Sequence, residues 1–149
     1  MRDVRTILVT TDFSETSRRA FEPAITLARK FGAKILLAYV EEDRLPPLVI
    51  EYMAVGVEDI LTKQADQAGD RLRECVRDGF AGVADVETVV TMGSPHVEIV
   101  RLAEERGADL IVMATHGRGF ITHAILGSTA ERVLRRAGCP VLIVRDAED

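Results

Sequence analysis

Two short segments of the sequence carry residue types that could bind a phosphate-containing ligand. The first, Gly127-Ser128-Thr129, stands where a helix is predicted to begin. Unpaired backbone N–H groups and the helix dipole favour an anion at a helix N-terminus, and a glycine lets phosphate approach the backbone. The same residues are also a common turn and cap, so this segment alone leaves both roles open. It matches neither a P-loop nor the Gly-x-Gly-x-x-Gly of dinucleotide sites.

Asp12 is the second candidate, because it lies two residues after the end of the apolar segment 6–10. Its carboxylate could accept a hydrogen bond from a ribose hydroxyl, or hold a phosphate through water or a metal ion. Asp is also a frequent cap of a following helix, so this structural role stays open as well. A shared site requires a fold that brings Asp12 and Gly127 to one crevice.

The elements that would position these residues begin with short apolar segments. Four are clear, at 6–10, 35–40, 110–114 and 141–144, and a weaker fifth lies at 84–91. The four clear segments do not alternate with polar residues, which is typical of parallel strands buried on both faces.

Helical periodicity fills the intervals between these strands. Residues 15–31 predict one helix with Ser14 as N-cap, Gly32 as the left-handed cap and a bend at Pro23. Residues 59–80 predict a second helix.

Two more helices are predicted in the second half of the chain. Ser94 as N-cap, Pro95 at the first helical position and Gly107 after the last turn define the third. The fourth spans 128–138 and is followed by Pro140, which opens the last strand.

This alternation predicts an open, doubly wound, five-stranded parallel sheet with helices on both faces, a Rossmann-like α/β fold in a single domain over 1–149. Segment 42–57 has no clear period and is predicted to be a loop or irregular excursion. Ligands of such sheets bind beyond the carboxyl ends of the strands, where the strand order reverses. A site is therefore expected in the loops after 6–10, 35–40 and 110–114.

The composition disfavours several classes of function. With 47% hydrophobic and 29% charged residues, the 149-residue chain is that of an ordinary globular domain. Its formal charge of −5 and pI of about 5.3 disfavour nucleic acid and membrane partners. The sequence offers no membrane-spanning stretch and no secretory signal, so a cytoplasmic protein is expected. Cys75 and Cys139 lack metal-ligand spacing and are predicted to be reduced packing residues.

Together these segments resemble the universal stress protein family over essentially the whole chain. The resemblance is carried by ordered motifs: 7–9 with Asp12-Phe13-Ser14, Met92-Gly93-Ser94-Pro95, 108–119, 126–134 and 139–142. The ATP-binding branch of that family carries Gly-x2-Gly-x9-Gly-Ser/Thr. Here the spacing from Gly117 to Gly127-Ser128 is intact, but Ala114 replaces the first glycine. The added methyl group could crowd a ribose, and is harmless if φ is negative.

The resemblance implies an adenine nucleotide alpha hydrolase-like fold that binds ATP, with or without Mg²⁺, in a dimeric stress-response or regulatory module. It implies a homodimer through the last strand, 141–144, paired across a two-fold axis. It also assigns the contacts of the nucleotide: Asp12 holds ribose or phosphate, Thr10, Thr11 and Val40 line the adenine and ribose pocket, Met113 and Ala114 pass beneath the nucleotide, and Gly117, Gly127, Ser128 and Thr129 wrap the phosphates.

Several nearby side chains have a structural alternative. His116 could contact phosphate or pack within its loop, while Arg118 could neutralise phosphate or face water. His123 is expected to be packed or solvated. The arginines of the last helix are predicted to form a solvated face: Arg132, Arg135 and Arg136.

Three functions therefore stay open. The first is an ATP-binding regulatory module, and the second is a dimeric interaction protein of the same fold whose pocket Ala114 leaves empty. The third is a weak ATP hydrolase or phosphotransferase that relies on Asp12. The phosphate loop offers no convincing general base, nucleophile pair or second acidic ligand, so a dedicated enzyme is not expected.

Overall fold

A five-stranded parallel sheet forms the centre of the molecule in the computed structural model, which describes residues 3–42, 57–116 and 126–145. The strands are β1 (Thr6–Thr10), β2 (Lys34–Glu41), β3 (Val86–Met92), β4 (Leu110–Ala114) and β5 (Val141–Val144). Each neighbouring pair is parallel, and the spatial order is β3-β2-β1-β4-β5. The predicted α/β fold is confirmed, including its weakest strand.

The helices that connect these strands are α1 (Glu15–Arg18), α2 (Phe21–Phe31), α3 (Val57–Gly79), α4 (Pro95–Glu105) and α5 (Ser128–Arg136). Helices α2 and α3 cover one face of the sheet, whereas α4 and α5 cover the other. The sheet is therefore doubly wound, and its strand order reverses between β1 and β4.

The strands are apolar without interruption because both of their faces are buried. Ile7 and Val9 of β1 pack in a cluster with Leu72 of α3, whereas Leu8 between them packs in a cluster with Val133 of α5. All five side chains are fully buried. Each such side chain contributes about 1.5–3 kcal/mol relative to an exposed one, so β1 is held firmly in the centre of the sheet.

The predicted helix over 15–31 is wrong in one respect, because it is divided into α1 and α2. Pro23 falls in the first turn of α2, where a backbone N–H has no acceptor within the helix. The proline is accommodated by starting a new helix rather than by bending one. The predicted N-cap is confirmed, since Ser14 Oγ accepts a hydrogen bond from the Ser17 amide at 3.1 Å. The cap at Gly32 is also confirmed, with φ of 66°.

The later helix boundaries agree closely with the predictions. Ser94 occupies the N-cap position of α4, but its Oγ lies 3.2 Å from His96 Nδ1 and does not cap the helix. Gly107 follows α4 with φ of 63°. Helix α5 ends at Arg136, two residues before the predicted end at Gly138. The predicted loop at 42–57 lies mostly outside the described residues, and α3 begins at Val57.

The two cysteines are free, as predicted, with Cys75 buried and Cys139 half-buried. Burial raises the pKa of both thiols, which keeps them protonated and unreactive near neutral pH. None of the described helices is long and apolar enough to cross a bilayer.

Candidate functional site

The turn between β1 and α1 holds the Asp12 carboxylate in a defined orientation. Asp12 Oδ1 accepts one hydrogen bond from the Ser14 amide at 3.0 Å and a second from Ser14 Oγ at 2.5 Å. Ser14 in turn caps α1 through the Ser17 amide. The carboxylate, which is half-buried, is thus fixed by the start of the helix. The Asp12 carboxylate therefore serves the capping turn.

A second set of hydrogen bonds, from Thr11 and Ser17, stabilises this turn. Thr11 Oγ1 lies 2.9 Å from Ser17 Oγ and accepts a hydrogen bond from the Phe13 amide at 3.0 Å. Ser17 Oγ donates to the Ser14 carbonyl at 2.9 Å. Both Thr11 and Ser17 are buried, so the Thr11 hydroxyl stabilises the turn that presents Asp12.

The end of β4 forms the neighbouring wall. Met113, Ala114, Thr115 and His116 are all buried. Ala114 is paired with Val144 and has the negative φ of an extended strand. The methyl group at the position of the missing glycine therefore imposes no backbone strain.

Thr115 is 1% exposed, and its Oγ1 has no hydrogen-bond partner among the described residues. A buried hydroxyl without a hydrogen-bond partner is unusual in a folded protein. Thr115 was not among the residues predicted to form the site. Its position between the motif residues Ala114 and Gly117 was the signal that could have found it.

The N-terminus of α5 is attached directly to this wall. Gly127 is the N-cap residue of α5, and its amide donates a 2.7 Å hydrogen bond to the Thr115 carbonyl. Gly127 has no side chain with which to cap this helix. Ser128 is exposed and Thr129 is half-buried at the start of the first turn. Anion binding at this helix end stays a prediction from its residue types.

The parallel register brings these two parts of the site to the same gap. Val9 of β1 is paired with Val112 of β4, and Asp12 and Thr115 each lie three residues further along their chains. The β1–α1 turn and the N-terminus of α5 therefore flank the reversal of strand order between β1 and β4. Open α/β sheets generally bind their ligands at such a reversal of strand order.

The other predicted site residues lie at the same carboxyl edge of the sheet or outside the described residues. Thr10 ends β1, and Val40 lies near the end of β2, where both are half-buried. Gly117, Arg118 and His123 lie outside the described residues. His116 is 7% exposed and lies beside Gly127, which favours its packing role. The arginines of α5 are all exposed, as predicted: Arg132, Arg135 and Arg136.

Charged groups elsewhere at this edge have structural partners. Glu98 of α4 accepts hydrogen bonds from Arg101 Nε at 3.0 Å and from Thr91 Oγ1 at 2.7 Å. These bonds, from Arg101 first, lower the pKa of the Glu98 carboxyl. The described residues contain no group of three or more His, Cys, Asp or Glu side chains arranged to hold a metal ion.

A separate cavity of about 470 Å³ lies at the opposite, amino-terminal edge of the sheet. Arg5, Arg29 and Lys34 are among its lining residues. The Arg29 guanidinium donates to the carbonyls of Ala81 at 2.7 Å and Gly82 at 3.3 Å, which ties α2 to the loop before β3. This cavity is remote from the reversal of strand order and does not contribute to the candidate site.

Comparison with known proteins gives consistent matches over nearly the full chain. The model of the universal stress protein family matches residues 3–145. Universal stress protein MJ0531 of Methanocaldococcus jannaschii is 34% identical over 142 residues, which cover 93% of this chain and 81% of that protein.

Solved structures agree with the fold. Protein MJ0577 of the same organism superimposes with a TM-score of 0.86 at 27% identity, covering 99% of this chain and 100% of that one. A universal stress protein in complex with cAMP has a TM-score of 0.64 at 30% identity, covering 97% of this chain and 98% of that one.

Proposed function

Since this chain belongs to the universal stress protein family, we propose that it is an adenine-nucleotide-binding protein that holds ATP in a dimeric regulatory or stress-response module. The observation that carries the proposal is the arrangement at the reversal of strand order. There the Asp12 turn follows β1 while the open N-terminus of α5 is bonded to the end of β4. A carboxylate on one side and helix amides on the other match the two ends of a nucleotide.

Each part of the nucleotide then has a matching chemical partner. The Asp12 carboxylate accepts a hydrogen bond from a ribose hydroxyl, and its bonds to Ser14 hold it ready to do so. The amides at the start of α5, with Ser128 and Thr129, receive the phosphates. The apolar side chains of Val40 and Met113, with Thr10 and Thr11, line the adenine and ribose pocket.

The residues present fit such a ligand in two respects. The N-cap residue of α5 is Gly127, so the positive end of the helix dipole has no side-chain acceptor from that residue. The buried Thr115 hydroxyl has no hydrogen-bond partner among the described residues. Any Mg²⁺ would accompany the phosphates of ATP and would neutralise part of their charge.

The complex of a relative with cAMP supports an adenine nucleotide as the ligand class. ATP and cAMP differ in the number of ribose hydroxyls that can donate a hydrogen bond to Asp12. ATP offers two ribose hydroxyls to a carboxylate, whereas the cyclic phosphate of cAMP occupies one of them. A site that depends on Asp12 should therefore bind ATP more tightly than cAMP. With no dedicated catalytic group proposed, the protein is at most a weak ATPase.

The test is calorimetric titration of the purified protein with ATP, ADP, cAMP and GTP. We expect saturable ATP binding with a Kd below about 1 mM. Asp12→Asn keeps an oxygen that can accept from Ser14 but removes the charge, and it should weaken ATP binding about tenfold. Asp85→Asn, an exposed residue at the opposite edge of the sheet, is the matched control and should bind like the wild type. Absence of binding at millimolar ATP would overturn the proposal.

The dimer is proposed to form through β5. This strand is the edge of the sheet next to β4, and an edge strand offers unpaired backbone groups to a second copy. Leu142 of β5 is 37% exposed, which is more than expected for a leucine in a central strand. Pairing of two β5 strands across a two-fold axis would cover this side chain.

A further inference from the structure

Phe13, the residue next to Asp12, has a strained backbone. Its φ is 68°, and it is the one non-glycine residue with positive φ in the described part of the chain. A bulky side chain rarely adopts this conformation, which persists only where the surroundings enforce it. Strain of this kind concentrates at functional sites, so the contacts that hold Phe13 are informative.

Contacts from two other elements hold the Phe13 ring in place. The ring of Tyr39 in β2 lies with its centroid 4.6 Å away at an interplanar angle of 38°. The guanidinium carbon of Arg71 in α3 lies 4.0 Å from the centroid of the Phe13 ring. Tyr39 is itself fixed, because its hydroxyl donates to Glu41 Oε2 at 2.5 Å. The Phe13 ring is 8% exposed between these partners.

The conformation of Phe13 determines the geometry of the candidate ligand group. Phe13 lies between Asp12 and Ser14, so its backbone angles decide whether the amide and hydroxyl of Ser14 reach Asp12 Oδ1. Both bonds are formed in the strained conformation. If the ring lost its partners, the backbone would relax and the bonds that orient the carboxylate would open.

We infer that Phe13, clamped between Tyr39 and Arg71, is a positioning residue that presents the Asp12 carboxylate to the ribose of the nucleotide. This inference rests on the proposed function. It also makes α3 part of the site, because Arg71 of α3 contributes a cation over the Phe13 ring. Movement of α3 would then change the affinity for the ligand through the Phe13 ring.

The experiment measures Kd values for ATP and adenosine in Phe13→Leu, Arg71→Met, Arg71→Lys and Arg73→Met. Leucine keeps the buried apolar volume but removes the flat ring, and ATP binding should weaken about tenfold through loss of preorganisation. Adenosine binding should weaken by the same factor as ATP binding, because the Asp12 carboxylate contacts ribose and not phosphate.

The arginine variants change an exposed side chain, so the fold should be retained. Arg71→Met should weaken ATP binding about threefold, which corresponds to the loss of an exposed cation–π contact. Arg71→Lys keeps the cation and should bind ATP like the wild type. Arg73 lies on the same helix and pairs with Asp70, so Arg73→Met is the control and should bind like the wild type.

Hydrogen exchange of the Ser14 amide without nucleotide completes the test. Exchange should be faster in Phe13→Leu and Arg71→Met than in the wild type, because the bond to Asp12 opens more often. Wild-type protein that binds no ATP would overturn the proposed function and this inference with it. Wild-type binding that is retained in full by Phe13→Leu and Arg71→Met would overturn the inference alone.

Discussion

The amide of Gly127 donates a 2.7 Å hydrogen bond to the carbonyl of Thr115, and the approach is so close that no side chain fits at residue 127. A Cβ placed on Gly127 would lie 2.7 Å from the same oxygen and 3.5 Å from the Cα of His116. Gly127 has a negative φ, so space and not backbone conformation requires the glycine. Its residue type thus reflects how α5 is joined to β4 as well as any phosphate.

Gly127→Ala should therefore destabilise the protein whether or not a nucleotide is bound. We expect a loss of about 1–3 kcal/mol, because the clash is with backbone atoms that cannot move aside easily. Chemical denaturation of the nucleotide-free protein measures it. Gly138→Ala is the control, since nothing lies within 4 Å of a Cβ there, and it should be neutral or up to about 1 kcal/mol more stable. Equal stability of the Gly127 variant and the wild type would contradict the prediction.

Thr115→Val tests the buried hydroxyl. Valine has the same shape, and removing a buried hydroxyl that has no hydrogen-bond partner among the described residues should stabilise the nucleotide-free protein by about 1 kcal/mol. Thermal unfolding with and without ATP measures the change. Thr88→Val, at a half-buried position in β3, provides a comparison for the same substitution. A Thr115 variant that is less stable than the wild type would mean that the hydroxyl is satisfied in solution.

Ala114→Gly addresses the residue that departs from the glycine motif. Ala114 is an ordinary strand residue with negative φ, so glycine offers no conformational relief and loses a buried methyl group. We expect the variant to bind ATP within about threefold of the wild type and to be about 1 kcal/mol less stable. Binding that appears only after this substitution would instead support an empty pocket in the natural protein.

Much of this architecture could be predicted from the sequence, because the patterns are local and repeated. Uninterrupted apolar segments such as Leu110–Ala114 require burial on both faces, and caps such as Gly32 have a specific backbone conformation. The division of α1 from α2 was missed because Pro23 is equally compatible with a kink and with a first turn.

The details of the site were less accessible because they depend on contacts between distant residues. The lack of a partner for the Thr115 hydroxyl and the contact of Arg71 with Phe13 arise only when separate elements are packed together. Residue type alone also cannot show a positive φ at Phe13, since phenylalanine is among the residues least expected there.

The pH dependence of stability should contain a contribution from Glu98. Hydrogen bonds from Arg101 and Thr91 lower the pKa of its carboxyl in the folded protein. Its stabilisation is therefore complete above the ordinary Glu pKa of about 4.3 and is lost as the pH falls through the lower folded-state value. Glu98→Gln should lower the free energy of unfolding by about 1–2 kcal/mol at pH 7 and by progressively less below a pH of about 4. Glu104→Gln changes an exposed residue of the same helix and is the control, and its free energy of unfolding at pH 7 should equal that of the wild type.

The oligomeric state should depend on the outer surface of β5. A lysine at residue 142 would place two like charges near each other in a β5–β5 dimer, and lysine on an edge strand discourages further pairing. We therefore expect the wild type to be a dimer, and Leu142→Lys to be a folded monomer, in size-exclusion chromatography with light scattering. Phe31→Lys is the control, because Phe31 is 48% exposed on α2, a helix that contacts β1 and β2. A Leu142→Lys variant that remains dimeric would place the interface elsewhere, and a monomeric wild type would exclude the dimer altogether.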